Sequence, residues 1–406
     1  MIKLVPRWKY IKALERFEQK PLIKVITGLR RVGKTSILRI FRHRLLEKGI
    51  PEENIIFINK ESKDFEHIQT DADLFKYVQE RFKNTSGSRY LIIDEVQLIK
   101  HWEKAVLSIH TDNTADIYIT GSNSELLPVD VATRIRGRTV EIRVYPLTFK
   151  EFLEFRGTKE NIDREFQYYL KYGGIPMIHH LPLEDEEQVF KILESILHTV
   201  FFKDILERYK LKDPFMLELL LRFAFENIGN ITSARSISRF LKSQKIERSV
   251  DTILNYIQYM KSAFLIDGVK RFGLQGRRIL EYGEKIYPAD IGLRHAMTGY
   301  EEGDISGLLE CIVYSELRYR GYNVFVGETG NHEVDFVCQK GKKTVYIQVA
   351  YMLENSKTID REFGNLLEIR DNYPKYVISL SKFFPKTYKG ITHIYLLDFL
   401  LEEEEL

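Results

Sequence analysis

Short apolar runs alternate with helically spaced apolar residues through the first third of the chain. The runs predict five buried strands, at residues 22–26, 54–59, 90–94, 117–120 and 140–144. Apolar residues that recur every three to four positions predict helices around them, at residues 8–19, 36–47, 71–83 and 102–109. Strands that alternate with helices favour a parallel sheet covered on both faces, which is an α/β fold.

The pattern changes after residue 155. Helical spacing continues over residues 163–172 and 186–209, and a Gly-Gly-Ile-Pro turn at 173–176 interrupts it. Later residues begin with helices and end in short strand-like segments, and strands return near the C-terminus. We therefore expect four domains, which cover residues 1–155, 156–212, 213–300 and 301–406.

Composition and charge restrict the class of protein only loosely. The 406 residues are 44% hydrophobic and 29% charged, which suits a soluble protein of more than one domain. Lysine and arginine number 61 and aspartate and glutamate 58, so a nucleic-acid partner has to be argued from local patches. Two cysteines and the absence of an apolar run of roughly 18 residues predict a cytoplasmic protein that does not enter a membrane.

A complete phosphate-binding motif lies between a predicted strand and a predicted helix. Its spacing, G-x-x-x-x-G-K-[ST], makes a chance glycine turn a poor explanation. Glycines let backbone N–H groups face phosphates, and the following helix adds the positive end of its dipole. We expect Lys34 to reach the β- and γ-phosphates of ATP and Thr35 to bind Mg²⁺. The motif predicts nucleotide contacts for Gly28, Leu29, Arg30, Arg31, Val32, Gly33, Lys34, Thr35 and Ser36.

A buried acidic strand end follows the phosphate motif. Asp94 ends the predicted strand at 90–94, and Glu95 comes next. We expect Asp94 to hold Mg²⁺ through its water shell. Glu95 is the candidate for orienting or deprotonating the attacking water. Acidic surface residues that follow a strand by chance are the alternative, which is weaker because a full phosphate motif precedes them.

Two further polar segments offer catalytic candidates. Ser122 and Asn123 follow the strand at 117–120, and Asn123 is placed to sense the γ-phosphate and hold the water. A polar turn without a ligand explains these residues equally well. Arg134, Arg136 and Arg138 surround a glycine, and Arg138 is our candidate for an arginine finger supplied by a neighbouring subunit or domain. A basic turn that makes surface contacts is the alternative for each arginine.

Several segments together resemble a known family. They are GLRRVGKTS, YLIIDEVQ, YITGSNS, RGR, YGGIP and YPLTFKEFLEF. They look like the AAA-type ATPases of bacteria and archaea that carry a C-terminal domain of unknown function. The resemblance implies a P-loop AAA core, a helical lid, a winged helix and a C-terminal α/β domain similar to restriction endonucleases. It also implies that Pro176 packs near the adenine, although a helix-breaking turn explains this segment without a ligand.

Residues 232–287 predict a helix-turn-helix with a wing. A helix at 232–242 and a second one after Ser249 precede candidate wing strands at 264–266 and 285–287. We expect the second helix to pack through Ile253, Leu254, Ile257 and Met260, and to present Thr252, Asn255, Tyr256 and Tyr259 outward. Basic residues that could contact DNA phosphates lie nearby, namely Arg235, Arg239, Lys242, Lys245 and Arg248. Packing or protein contact is the alternative use of this domain.

The last domain keeps an endonuclease-like pattern with altered chemistry. Asp335 matches the first metal ligand that the resemblance implies, but Gln348 stands at the glutamate position and Ala350 at the lysine position. A neutral amide is a poor Mg²⁺ ligand, and alanine cannot polarise water. We therefore predict a retained fold without catalysis. The alternative is a shifted metal site built from Glu333 and Glu316.

These patterns predict an ATP- and Mg²⁺-dependent hydrolase that acts as a switch coupled to DNA-binding-type domains. A nucleotide-gated protein-interaction module with little turnover is one alternative, and an active DNA nuclease is another. Double-stranded DNA, a protein partner and self-association all stay open as partners besides ATP and ADP, because no residue pattern decides among them.

Overall fold

The chain divides into two compact units. The computed structural model describes residues 4–123, 137–274, 276–301, 303, 305–329, 332–402 and 405–406. The first unit comprises Met1–Val144 with Ser262–Phe264, and the second comprises Tyr145–Lys261 with Leu265–Leu406. Each unit contains a sheet of its own.

A five-stranded parallel sheet forms the centre of the first unit. Its strands are β1 (Ile23–Thr27), β2 (Ile55–Asn59), β3 (Tyr90–Asp94), β4 (Asp116–Thr120) and β5 (Thr139–Arg143). Their order is β2-β3-β4-β1-β5, and every neighbouring pair is parallel. Strands β1, β3 and β4 are buried along their whole length, which explains their continuous apolar runs. The five strands predicted from the sequence are confirmed to within one residue at each end.

Helices alternate with the strands of the first unit along the chain. They are α1 (Trp8–Arg16), α2 (Lys34–Glu47), α3 (Asp71–Phe82) and α4 (Trp102–Thr111). Thr70 and Asp73 form a capping box at the start of α3, which satisfies backbone donors there. Leu74 and Val78 of α3 and Val106 of α4 join the sheet residues in one hydrophobic core. The helices thus fix the sheet whose edge carries the candidate site.

The strand order determines where that edge lies. Because all five strands are parallel, their carboxyl ends meet at one edge of the sheet. Strand β4 lies between β1 and β3. The loop after β1, the acidic end of β3 and the polar end of β4 are therefore neighbours in space.

The second unit starts with helices. They are α5 (Phe149–Arg156), α6 (Ile162–Tyr172), a 3₁₀ turn (Pro176–His180), α7 (Glu186–Thr199) and a π-helix (Val200–Glu207). The helix predicted over 186–209 is therefore confirmed, and its segment Val200–Glu207 has π-helical geometry. The buried pairs Val200/Ile205 and Phe201/Leu206 are five residues apart, which matches the i→i+5 repeat of a π-helix.

The Gly-Gly turn brings two backbone segments close together. The Leu147 N–H donates to the Gly174 carbonyl at 2.7 Å. A side-chain Cβ on Gly174 would lie 2.3 Å from the Leu147 carbonyl oxygen, so only glycine fits there. The Asp290 carboxylate accepts a hydrogen bond from the Gly174 N–H at 2.7 Å. This segment is thus anchored within the second unit on both sides.

Three helices and a three-stranded sheet follow. They are α8 (Pro214–Glu226), β6 (Ile231–Thr232), α9 (Ala234–Ser243), α10 (Val250–Ser262), β7 (Ile266–Gly273) and β8 (Arg278–Pro288). Strand β8 pairs antiparallel with both β6 and β7. The predicted packing face of α10 is wrong at two positions, because Leu254 is exposed and Tyr256 is buried. Ile253, Tyr256, Ile257 and Met260 recur at i, i+3, i+4 and i+7, the spacing of one helix face.

Strand β7 also pairs in parallel with a strand of the C-terminal segment. That segment contains α11 (Ile291–Thr298), α12 (Ile305–Tyr319), β9 (Asn323–Thr329), β10 (His332–Lys340), β11 (Lys343–Ala350), α13 (Ser356–Leu367), β12 (Lys375–Ser379), β13 (Thr387–Tyr388), β14 (Ile391–Tyr395) and α14 (Leu396–Leu401). The result is one nine-stranded sheet in the order β13-β14-β12-β11-β10-β9-β7-β8-β6. Of the two candidate wing strands, 285–287 lies within β8, but the one predicted at 264–266 is wrong before Ile266, because residues 263–265 form a turn in which Phe264 is left-handed. Strands β7 and β8 share a sheet with the C-terminal strands, although the sequence prediction places them in separate domains.

Candidate nucleotide-binding site

The loop after β1 has a backbone that only its glycines permit. Gly28 has φ +137°, and a Cβ there would lie 2.2 Å from the Val144 carbonyl oxygen. Gly33 has φ +95° and immediately precedes α2. Arg31 is also left-handed, with φ +68°, which is uncommon for a residue with a side chain. The loop is thus held in the wrapped conformation that the motif predicts.

Lys34 lies inside this wrapped loop. Its Nζ donates to the carbonyl oxygens of Gly28 at 2.8 Å and Leu29 at 3.0 Å, and the residue is 5% exposed. Both acceptors are neutral. A phosphate oxygen can replace these two carbonyl oxygens as acceptors, because a charge-assisted hydrogen bond to a charged oxygen is stronger than one to a neutral oxygen.

Arg7 anchors the same loop from outside the motif. Its Nη1 donates to the Val32 carbonyl at 3.0 Å, and the residue is 2% exposed. Leu29 and Val32 are buried as well, so the loop packs on the core through its apolar members. The sequence does not predict the role of Arg7, because nothing local connects it to a loop 25 residues away.

Asp94 connects the ends of β3 and β4 to the start of α2. Its Oδ2 accepts from the Thr35 hydroxyl at 2.8 Å, and its Oδ1 accepts from the Thr120 hydroxyl at 2.6 Å. Asp94 is 1% exposed. Thr35 and Asp94, the predicted Mg²⁺ ligands, are thus adjacent, and both offer the oxygen donors that Mg²⁺ prefers.

Glu95 has an unusual backbone and a constrained side chain. Its φ and ψ are +56° and +51°, a left-handed conformation that is sparsely populated by residues other than glycine. The Glu95 N–H donates to the Thr120 hydroxyl at 2.9 Å, and its carboxylate accepts from the Gln97 side-chain amide. Burial raises the pKa of Glu95, while the nearby Lys34 ammonium opposes that rise. A carboxylate with a raised pKa is a stronger base than an ordinary one.

Thr120 is a site residue that the sequence prediction missed. It ends β4 and is fully buried, and it joins Asp94 to the backbone of Glu95. Its position at the carboxyl end of the strand before the polar segment is the pattern that could have revealed it. Ser122 and Asn123 follow at the same sheet edge and are fully buried. The predicted contact of Asn123 with a γ-phosphate stays a prediction.

The remaining predicted residues have other surroundings. Arg30 forms an ion pair with Glu61 at 3.6 Å. Arg138 is exposed and begins the approach to β5, where its carbonyl accepts from Ile23 N–H. Arg134 and Arg136 lie outside the described residues. Pro176 is buried in the second compact unit, and its predicted approach to adenine stays a prediction.

The predicted endonuclease-like residues come together on neighbouring strands of the second sheet. Asp335 on β10 donates its N–H to Gln348 Oε1 on β11 at 3.3 Å. Gln348 Nε2 donates to Glu362 at 3.0 Å, and Ala350 is buried. Glu316, one of the two alternative metal ligands, accepts a hydrogen bond from Arg320, the residue at i+4. Among the described residues, no group of three or more ligating side chains is disposed to hold a metal ion.

Fold and site together define the class of this protein. A five-stranded parallel sheet with a phosphate-binding loop after β1 and an acidic end on β3 is a P-loop ATPase fold. A family described as "AAA domain" matches residues 20–153, and a domain of unknown function matches residues 163–304. The protein is therefore a nucleotide-binding protein of the AAA type.

Full-length relatives give the family. An uncharacterized protein of Haemophilus influenzae is 35% identical over 404 residues, which cover 98% of this chain and 99% of the relative. The chain belongs to the family of that protein. An uncharacterized protein of Methanocaldococcus jannaschii is 32% identical over 84% of this chain and 77% of its own length.

One solved structure supports the fold. A Walker-type ATPase of Pyrococcus abyssi matches with a TM-score of 0.51 and 16% sequence identity, covering 73% of this chain and 96% of that chain. At this identity the similarity concerns the fold alone. Among the described residues, no helix combines the length and the apolar character that crossing a membrane requires.

Proposed function

We propose that this protein hydrolyses ATP with Mg²⁺ and uses the nucleotide cycle to switch domains that bind double-stranded DNA. The hydrogen-bonded chain from Thr35 through Asp94 and Thr120 to Glu95 carries the hydrolytic part. It connects the predicted metal ligands directly to the predicted base. A purely binding loop has no need for that connection.

Each side chain has a role that follows from its position. Lys34 would exchange its two carbonyl partners for phosphate oxygens, beside the N-terminus of α2. Thr35 and Asp94 would hold Mg²⁺, which when bound neutralises charge on the phosphates. Glu95 would accept the proton of the attacking water, because its raised pKa favours proton uptake. Asn123 would hold that water, and Pro176 would contact the adenine.

The exposed Arg138 suggests a use in trans. A charged guanidinium at the surface beside β5 can enter the site of a second copy of the chain and stabilise transition-state charge. This role requires self-association. A drop in hydrolysis on dilution, together with loss of that concentration dependence in Arg138→Ala, is the result we expect.

Phosphate release tests the hydrolytic proposal. We expect Glu95→Gln to retain Mg-ATP binding while phosphate release falls about 10²- to 10⁴-fold, because the base is lost and the phosphate loop is kept. Thr35→Ala should weaken the Mg²⁺ dependence instead. Release that continues at the original rate in Glu95→Gln would reject the role of Glu95 and favour a binding module with little turnover.

The DNA part of the proposal stands on residues 213–288. The order α8-β6-α9-α10-β7-β8, with β8 between β6 and β7, supports the proposal of a winged helix in this segment. Arg235, Arg239 and Lys242 are exposed along α9, and Lys245 is exposed after it. Arg248 is less available, because it bonds to Asp213 at 2.9 Å. We infer that α9 supplies phosphate contacts.

DNA-stimulated hydrolysis tests this coupling. We expect double-stranded DNA to raise phosphate release, and the stimulation to weaken as salt increases, since phosphate contacts release counterions. Arg235→Ala with Arg239→Ala should abolish the stimulation and leave the basal rate unchanged. Basal and stimulated rates that coincide at low salt would contradict DNA coupling and direct the search to a protein partner.

A further inference from the structure

A buried lysine lies at the centre of an acidic cluster in the second unit. Lys285 on β8 is 1% exposed. Its Nζ lies 2.7 Å from Glu310 Oε1, 2.6 Å from Glu333 Oε1 and 3.6 Å from Asp335 Oδ1. We call these four residues the Lys285 cluster. One ammonium thus contacts carboxylates from α12 and β10 at the same time.

The surroundings hold the carboxylates in place. The Val349 N–H donates to Asp335 Oδ2 at 2.8 Å, and the Tyr287 hydroxyl donates to Glu310. Lys285 itself is fixed because β8 pairs with β7 in a sheet that continues through β9 to β10. The surrounding structure therefore holds the ammonium in place. Burying it without these carboxyl partners would carry a large desolvation free energy, as for any buried ion.

The cluster occupies the place where the endonuclease resemblance implies Mg²⁺. Asp335 is the first predicted metal ligand, and it faces Lys285. Gln348 stands at the second ligand position. Its Oε1 accepts a hydrogen bond from the Asp335 N–H, and its Nε2 donates one to Glu362. The residues present therefore do not fit a divalent cation, whose oxygen ligands would have to converge at about 2.0–2.1 Å for Mg²⁺.

We propose that the Lys285 ammonium is a resident cation that permanently replaces the divalent metal ion in this endonuclease-like domain. Glu310, Glu333 and Asp335, whose negative charges would repel each other, all face this one positive charge. The domain keeps its fold without a metal, and metal-dependent strand cleavage has no place to occur. This inference is independent of ATP hydrolysis in the first unit.

The proposal makes a reciprocal claim about metal binding. If the ammonium blocks a divalent site, removing it should open that site, because three oxygen ligands then surround a vacated position. The Glu333 side chain is 37% exposed, which gives an ion a route from solvent. Lys285→Ala removes both the charge and the volume of the side chain, so it is the variant to test.

Mn²⁺ binding without nucleotide measures this claim directly. All variants carry Asp94→Asn, which silences the nucleotide site, and free Mn²⁺ is followed by electron paramagnetic resonance. We expect no Mn²⁺ at the cluster with Lys285 in place, and one additional bound Mn²⁺ in Lys285→Ala, with affinity raised about tenfold or more. Asp335→Asn added to Lys285→Ala should remove it. Lys340→Ala, which loses an exposed lysine on β10, is the matched control and should gain no site.

The other outcomes also decide for or against the proposal. Mn²⁺ bound at the cluster while Lys285 is present, and lost in Asp335→Asn, would show that the lysine does not replace the metal. A folded Lys285→Ala without new Mn²⁺ binding would do the same. If Lys285→Ala unfolds in chelator, refolding by Mn²⁺ supports the proposal, and failure to refold at millimolar Mn²⁺ overturns it.

Discussion

The nucleotide site of the first unit and the Lys285 cluster of the second unit each contain a buried lysine, Lys34 at the start of α2 and Lys285 on β8. Lys34 donates to two neutral carbonyl oxygens, whereas Lys285 contacts three carboxylates. Neutral acceptors bind an ammonium more weakly than charged ones. Lys34 can therefore change partners when a phosphate arrives, and Lys285 cannot leave without exposing uncompensated charge.

Buried lysine thus has opposite uses in the two units. A lysine that donates to carbonyl oxygens can exchange them for a ligand. A lysine that contacts carboxylates takes the place of a bound metal ion. The partners of a buried cation, more than its burial, distinguish a binding site from a structural centre. Substitutions at the two lysines should separate these roles, since one should change ligand affinity and the other should change stability.

The largest effect is expected at Lys34. We expect Lys34→Ala to reduce ATP hydrolysis about 10²- to 10³-fold, because a positive group that stabilises developing phosphate charge is lost. ATP affinity should fall about 10- to 100-fold, as for one charge-assisted hydrogen bond. Phosphate release and calorimetry measure the two effects, and the thermal midpoint should stay close to that of the parent protein. The exposed Lys104 on α4 supplies the control, Lys104→Ala; equal affinity in both variants would break the comparison at its first member.

Stability is the expected readout at Lys285. Lys285→Met removes the charge and keeps the length, so the carboxylates of the Lys285 cluster lose their shared cation. We expect the free energy of unfolding to fall by about 3–5 kcal/mol, the usual cost of breaking a buried ion pair. Lys340→Met, which loses an exposed pair with Glu405, should leave the free energy of unfolding almost unchanged. Urea unfolding measures both, and similar losses in the two variants would contradict a central role for Lys285.

The nucleotide site could be predicted because its determinants are local. Nine consecutive residues specify the loop, and the apolar runs on either side specify the strands that present it. The sequence prediction missed Arg7 and Thr120 as site residues, because each contacts a residue that is distant along the chain. The contact of Arg7 leaves no mark in the neighbouring sequence, whereas the position of Thr120 at the carboxyl end of β4 offers a signal that could have been used.

The Lys285 cluster could not be predicted for a related reason. Lys285 is 50 residues before Asp335, and their contact requires β7 to pair with β9 in a continuous sheet. The sequence prediction assigned Lys285 to a wing strand and treated the C-terminal segment separately. The missing lysine of the endonuclease-like motif was recognised at Ala350, but the cation that compensates for it lies in another segment. Non-local pairing is the part of this fold that residue patterns do not specify.

A smaller effect should appear in the pH dependence of stability. Burial, with a further contribution from Glu310, raises the pKa of Asp335 to about 8, and Lys285 opposes the rise. The folded protein therefore holds a proton at Asp335 that the unfolded chain has lost above its ordinary pKa of about 3.9. Unfolding free energy should fall as pH rises from 6 to 8, by about 1–2 kcal/mol, since Glu310, Glu333 and Glu362 share the titration.

Asp335→Asn isolates that contribution. The amide cannot titrate, so the unfolding free energy of the parent protein relative to that of the variant should fall from pH 6 to pH 8 and stay constant once Asp335 is ionised in the folded protein. Urea unfolding at several pH values gives the comparison. A difference that does not change between pH 6 and 8 would show that Asp335 is ionised beside Lys285 throughout this range, and would contradict the raised pKa of Asp335.

The smallest expected change concerns the hydroxyl that organises the nucleotide site. Thr120→Val keeps the shape of the side chain but removes the hydrogen bonds to Asp94 and to the Glu95 N–H. We expect kcat to fall about five- to tenfold, about 1 kcal/mol, with ATP affinity unchanged, because Thr120 orients the base without touching phosphate. Thr120→Ser restores the hydroxyl and should recover most of the rate. If Thr120→Ser stays as slow as Thr120→Val, packing of the methyl group, and not the hydrogen-bonded chain, sets the position of Glu95.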